Sequence, residues 1–198
     1  MPYNNCHGET GEIMDQSTIS KPPIKDFPKE PNLKDYNNLR DTFSWDQMEA
    51  QLSGLPGGGL NLAYEAIDRH AIGDKSGKIA MYWEGNDGEE EAYTFADMKS
   101  LSDKFANALL GLNISKSDRI FIFMERLPEL YIAFFGSLKV GAVVGPLFSA
   151  FGPDPVKDRL LDSGAKILIT TPALRKKIGN ILPELPDLEN VIIVNKNN

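Results

Sequence analysis

Three times between residues 94 and 170 a helical stretch stops at a glycine and a run of β-branched or aromatic residues follows. The stops are Gly111, Gly141 and Gly164, and glycine enters most easily the left-handed conformation that closes a helix. A strand, a helix and a second strand in this rhythm pack as a right-handed crossover between parallel neighbours. Parallel strands are therefore expected near 119–124, 143–148, 167–170 and 191–194. Arg119-Ile-Phe-Ile-Phe-Met124 is apolar on both faces, as a strand covered by helices on two sides requires.

The helices carry their own signals. Thr94 followed three positions later by Asp97 forms a variant of the capping box, and Met98, Leu101, Phe105, Ala108 and Leu109 give that helix its apolar face. Pro128 suits a first helical turn, with Leu130, Tyr131, Phe134, Phe135 and Leu138 following. Further helices are expected over Pro155–Asp162 and near Ala173–Ile181, the latter with the basic run Arg175-Lys176-Lys177 at its start. Upstream, Ile79–Trp83 and Ala92–Phe95 flank Glu84-Gly-Asn-Asp-Gly-Glu-Glu-Glu91, a reversal with an acidic tip. Leu62, Ala63, Ala66 and Ile67 recur at helical spacing before Asp68-Arg69-His70.

The fold class is thus α/β: βαβ units form a mostly parallel sheet flanked by helices, preceded by a β-hairpin and an extended N-terminal tail. Residues 1–42, punctuated by Pro22, Pro23, Pro28 and Pro31, are expected to be extended or disordered. The α/β portion is read as 43–198, opening with a short helix around Phe43, Trp45 and Met48. Its last strand runs into Asn195-Lys-Asn-Asn198 with nothing behind it, so the domain is expected to be incomplete.

Composition narrows the partners. Hydrophobic residues make up 41% of the 198, which suits a packed core. Acidic residues outnumber basic ones, 28 to 21, for a net charge of −7. That sign argues against nucleic acid and anionic membranes, whose affinity comes from an excess of Lys and Arg. No apolar run approaches the ~18 residues of a membrane span, and the cytoplasm is the expected compartment. Cys6 is the single cysteine, so no internal disulfide forms, and Cys6-His7 falls short of a metal-ligand set.

Familiar catalytic motifs are missing. Gly54-Leu-Pro-Gly-Gly-Gly59 lacks the Gly-Lys-Ser/Thr ending of a phosphate loop and reads as a flexible connector. The three consecutive glutamates read as a solvated tip rather than a metal site. His70, at a helix end, reads as a cap or a hydrogen-bonded neighbour.

The order of short motifs carries more. Phe43-Ser-Trp45 and Leu60-Asn-Leu-Ala-Tyr-Glu-Ala-Ile-Asp-Arg-His70 resemble the N-terminal signature of AMP-forming acetyl-CoA synthetases. Ala80-Met-Tyr-Trp-Glu-Gly85 and Tyr93-Thr-Phe95 resemble that family's hairpin and the first core motif of adenylate-forming enzymes. Ser117 to Met124, Pro128-Glu-Leu130 and Leu138-Lys-Val-Gly-Ala142 resemble the next strand, the helix and the second core motif, and Lys157-Asp-Arg159 through Ile169-Thr170 continues the likeness.

The resemblance implies a ligase that joins a carboxylate to coenzyme A through an acyl-adenylate. ATP supplies AMP as leaving group, diphosphate is released, and the coenzyme A thiol displaces the AMP. A complete enzyme of this kind uses coenzyme A and Mg-ATP with acetate or propionate. Its Gly/Ser/Thr-rich phosphate loop, magnesium-binding Glu, ribose-binding Asp and mobile C-terminal Lys have no counterpart among these residues. An N-terminal fragment, inactive alone, with no catalytic residue and no metal ligand of its own, is therefore expected. By residue-wise match Phe148, Ser149, Ala150, Arg175 and Lys176 would meet the nucleotide end of coenzyme A. An aromatic edge suits adenine, and a cationic cluster suits the 3′-phosphate. Ser149 and Ala150 replace the family's glycines, and the basic run is spaced differently from its paired arginines. Arg126 and Arg159 are read as structural. A free-standing module that binds coenzyme A or a nucleotide without catalysis is the alternative, and a structural partner for a separately encoded half is the third reading. A truncated sheet face would favour self-association.

Overall fold

The computed structural model describes Pro23, Asp26 and residues 28–195. Cys6 and His7 lie outside them. The chain divides after Met48 into two compact units.

In the first unit Tyr36–Thr42 forms helix α1, where the proline-rich reading expects extended chain. The prolines all precede this stretch, and the Asp35 side chain accepts the Asn38 N–H at 3.0 Å, an N-cap that satisfies one free donor of the first turn. Helix α2, Trp45–Glu49, follows, and the Phe43 ring stands edge-on to Trp45 at 5.0 Å.

The second unit begins with Gly54–Gly59, a hydrogen-bonded turn in which the Leu55 N–H donates to Gly59 O and the Gly58 N–H to Leu55 O, both at 2.9 Å. Asn61 then caps a helical segment, accepting N–H bonds from Ala63 and Tyr64 while its amide donates to Leu138 O at 2.7 Å. The segment is not regular. Tyr64–Asp68 is a π-helical turn that passes into the three-residue α3, Arg69–Ala71. Strands β1, Ile79–Glu84, and β2, Glu90–Thr94, form the expected antiparallel hairpin.

Helix α4, Phe95–Gly111, starts at the expected capping box, with Thr94 and Asp97 bonded reciprocally. Its end corrects the sequence reading. Gly111 lies within the helix, and the left-handed residue is Asn113, at φ 60°. The Ile114 N–H reaches Leu109 O and the Asn113 N–H reaches Leu110 O, and Ile114 is buried in the same apolar cluster as Leu109. Asparagine tolerates the left-handed region better than most residues, and the apolar residue after it clamps the turn. The apolar face shifts as well, because Ala108 is exposed and Ala106 buried.

Strand β3, Arg119–Phe123, leads to α5, Pro128–Lys139, then β4, Val143–Leu147, α6, Pro153–Ser163, β5, Ile167–Thr170, α7, Pro172–Lys177, and β6, Asn190–Ile193. Gly141 and Gly164 are left-handed, at φ 76° and 60°, as expected. All neighbours in the sheet β4-β3-β5-β6 are parallel. The alternation of side chains along β3 and β5 creates two cores. Ile120, Ile122, Ile167 and Ile169 pack with Leu109 of α4 and Ala133 of α5, whereas Phe123 and Leu168 pack with Val156 and Leu160 of α6 and Leu174 of α7. Residues 172–177 form a shorter helix than expected, so Arg175, Lys176 and Lys177 occupy its last turn and not its start. Gly179 and Asn180, both poor helix formers, come next after the capping Ile178. No helix among the described residues is long and apolar enough to cross a membrane.

Candidate functional site

Chain order and spatial order disagree in one place. Strand β3 feeds β4 on one side through α5, and β5 feeds β6 on the other through α7, so the connections diverge between β3 and β5. In open α/β sheets a ligand crevice forms at the carboxyl ends of the strands at such a point. Here those ends supply Glu125 and Arg126 after β3, Phe148–Ala150 after β4 and Thr171 after β5.

The loop after β4 and helix α7 meet. Helices α6 and α7 share one core, which sets the two loop regions side by side. Lys177 Nζ donates to the carbonyl oxygens of Ala150, at 3.2 Å, and Ser149, at 3.5 Å. Phe148 is 66% exposed, with one ring edge against Phe151 at 5.7 Å. Arg175 and Lys176 are exposed and form no ion pair among the described residues. Cations in a last helical turn also complement the helix dipole, and that effect stabilises α7 whether or not a ligand is present. The sequence-predicted residues thus fall on the loop after β4 and on the last turn of α7, and the residue that joins them is Lys177.

Arg159 is structural as expected. Its guanidinium lies 4.6 Å from the Phe151 ring centroid and donates to Pro155 O at 2.8 Å. Arg126 behaves differently. Its carbonyl accepts the Trp83 indole N–H at 2.8 Å, and its exposed side chain lines a cavity of about 590 Å³ beside the hairpin.

Sequence reasoning passed over Glu125 and Thr171. The Thr171 hydroxyl donates to Glu125 Oε2 at 3.0 Å and closes the gap between the ends of β5 and β3. Beside it Thr170 is fully buried, and its hydroxyl has no partner among the described residues. Their position at strand ends flanking a change of winding direction was the available signal.

A carboxylate already occupies one end of the glycine-rich turn. Glu65 accepts the N–H groups of Gly54, at 2.7 Å, and Ser53, at 3.1 Å, and pairs with Arg69 at 2.7 Å. Burial raises the Glu65 carboxyl, but those two N–H bonds and Arg69 outweigh it and hold the group below the usual carboxylate range. Burial, then Lys75 and Arg69, push the His70 imidazole down, and its ring rests 5.1 Å from that of Phe95. His70 is therefore a side chain held against Phe95 in surroundings that favour its neutral form. No three His, Cys, Asp or Glu side chains among the described residues gather as a metal site.

Comparison with known proteins follows the same lines. Residues 68–198 match the family described as AMP-binding enzyme. The chain is 44% identical over 164 residues to an acetyl-coenzyme A synthetase of Bacillus subtilis (strain 168), across 82% of this chain and 28% of that protein. It is 37% identical over 138 residues to a 3-hydroxypropionyl-coenzyme A synthetase of Sulfurisphaera tokodaii, across 67% of this chain and 21% of that one. A crystal structure of an acyl-CoA synthetase from Brucella canis superposes with a TM-score of 0.72 at 30% identity, across 82% of this chain and 29% of the other. The chain therefore spans less than a third of the length of the curated relatives it matches. With well over half of its residues matched and the α/β layers in place, it belongs to the AMP-binding enzyme family.

Proposed function

We propose that these residues are the N-terminal α/β portion of an AMP-forming acetyl- or short-chain acyl-CoA ligase, that they supply the subsite for the nucleotide end of coenzyme A, and that they do not turn over alone. One observation carries the reading: Lys177 ties the loop holding Ser149 and Ala150 to the helix holding Arg175 and Lys176. A planar base against the exposed edge of Phe148 and a dianionic 3′-phosphate against Arg175 and Lys176 would use both halves of that arrangement. Binding would place the cofactor's phosphates in a local basic region of an otherwise acidic protein, where attraction does not depend on net charge.

The chemistry of adenylation calls for donors aimed at the transferring phosphoryl group and a cation to balance it. The described residues offer no ligand set for magnesium and no phosphate loop, so ATP and magnesium are assigned to the rest of the ligase. The compartment in this reading is the cytoplasm. Strands β4 and β6 leave Val143 and Ile193 exposed at the two sheet edges, and self-association through a face of this kind belongs to the same reading.

The test is turnover. The purified chain with acetate, ATP, magnesium and coenzyme A is expected to release no AMP and form no acyl-CoA, and measurable turnover would contradict the assignment.

A further inference from the structure

A threonine at a helix N-cap ordinarily turns its side-chain oxygen to an N–H of the first turn. Thr94 does so at the start of α4, accepting the Asp97 N–H at 3.1 Å. Thr171, the N-cap of α7, does not, and its side chain takes no N–H of that helix. The hydroxyl instead donates to Glu125 Oε2 at 3.0 Å, 46 residues away along the chain. Thr171 is 7% exposed, so this bond is the outlet for a hydroxyl that water hardly reaches. The Glu125 end is fixed as well, because its carbonyl accepts the Leu127 N–H at 2.8 Å in the turn that leads to α5.

The consequence falls on Arg175. Helix α7 has six residues, too few to hold its shape without outside contacts. Leu174 and Ile178 bury one side of it in the core that contains Phe123, but apolar packing has no direction of its own. Two polar ties supply direction. Lys177 holds the last turn to the carbonyls of Ser149 and Ala150, and the Thr171 bond holds the first turn to the end of β3. The Thr171 carbonyl accepts the Arg175 N–H at 2.8 Å, so the residue that Glu125 grips is the one to which the Arg175 backbone is bonded. Arg175 and Lys176 therefore stand on a turn anchored on both sides of them.

We propose that Glu125 and Thr171 are positioning residues: their hydrogen bond seats the start of α7 against the end of β3 and so aims Arg175 at the 3′-phosphate of coenzyme A. The role rests on the coenzyme A reading above and adds to it the pair that sets the arginine's place. A charge-assisted bond to a phosphate weakens steeply with distance and angle, so the seat of the helix matters even though neither residue need touch the ligand. Charge and position make opposite demands on Glu125. Acting through charge alone, a carboxylate at this end of the sheet would oppose an anion, and its removal would strengthen binding. Acting as the acceptor that seats α7, its removal weakens binding.

Calorimetric titration of the chain with coenzyme A and with 3′-dephospho-coenzyme A tests this, and the quantity read is the ratio of the two affinities. Partial unfolding lowers the number of sites for both ligands and leaves that ratio unmoved. Thr171→Val removes the hydroxyl with little change of shape and should shrink the ratio by at least about threefold, one modest hydrogen bond's worth. Thr171→Ser should restore it. Glu125→Ala should also shrink it, and Glu125→Gln, which keeps an acceptor oxygen, should retain most of it. Thr170→Val deletes the neighbouring buried hydroxyl, which has no partner among the described residues, and should leave the ratio unchanged. An unchanged ratio in Thr171→Val overturns the proposal, as does a larger ratio in Glu125→Ala or an equal loss in Thr170→Val. Each of these leaves the cofactor reading standing, provided the unsubstituted chain prefers coenzyme A. An unsubstituted chain without that preference removes both.

Discussion

Lys177 Nζ lies 3.2 Å from the carbonyl oxygen of Ala150, a contact that spans 27 residues of chain and joins the end of one βα unit to the next. A charged donor on a main-chain acceptor orients the loop without occupying the side chains on it. Lys177→Met should therefore leave the fold intact and weaken coenzyme A binding by about threefold to tenfold, the effect of losing one exposed charge-assisted bond. Calorimetry on the variant checks this, and unchanged affinity would detach the loop from the site.

A second relationship ties three helical segments together. Lys139, at the end of α5, pairs with Asp68 at 2.7 Å and with Asp103 of α4 at 2.5 Å, and Lys139 and Asp68 keep only 11% and 14% of their side chains exposed. Removing this cation strips Asp68, whose carboxylate water reaches poorly, of its ion-pair partner, while Asp103 keeps Lys99. Lys139→Met should cost about 3 kcal/mol in urea denaturation. Asp68→Asn in the same background should restore part of that loss, because it removes the charge left unpaired.

Acid should unfold the protein through its paired carboxylates. The Lys166 ammonium and the Ser115 N–H hold Asp118 below the usual range. Burial raises Asp103, but hydrogen bonds from Lys139 and Lys99 outweigh it and also leave that carboxyl low. A carboxyl that is more acidic folded than unfolded stabilises the fold above its unfolded pKa, about 3.9 for aspartate, and the contribution disappears as pH falls through the folded value. Melting temperature should be level near neutrality and fall below about pH 4. Asp118→Asn should flatten that fall, and an unchanged profile would remove Asp118 from the account.

Two glycines in neighbouring helices should respond in opposite ways to alanine. A β-carbon on Gly136 would stand 2.8 Å from Phe105 Cδ1 and 2.9 Å from Ser102 O, in the seam between α4 and α5. Gly136→Ala should cost about 1–3 kcal/mol. Gly111 has open space around it and no left-handed conformation, so Gly111→Ala should stabilise the chain by about 0.5–1 kcal/mol. Thermal denaturation of both variants decides, and destabilisation by Gly111→Ala would return the helix stop to that residue.

The fold was legible where local chemistry decides it. The Thr94 cap, the left-handed Gly141 and Gly164, and the doubly apolar β3 and β5 all follow from residue type and spacing. Asn113 was missed because glycine is the commoner stop and stood two residues earlier. The α4–α5 seam was not legible, because large apolar residues attract attention, whereas Ser102, Ala106, Gly136 and Ser137 let the helices approach, with both hydroxyls returned to carbonyls of their own helices. At the candidate site, the family resemblance marked Phe148 and Arg175, and residue type alone marked neither. Neither signal revealed the Thr171 bond to Glu125 or the Lys177 tie, because these depend on which strands lie next to one another.

The 3′-phosphate of coenzyme A gives the most direct measurement. Calorimetric titration of the chain with coenzyme A should show micromolar binding that weakens about tenfold or more, one charge-assisted contact's worth, both with 3′-dephospho-coenzyme A and in Arg175→Ala. No detectable heat with coenzyme A, or equal affinity for the two ligands, would contradict the assignment of this end of the sheet to the cofactor's nucleotide.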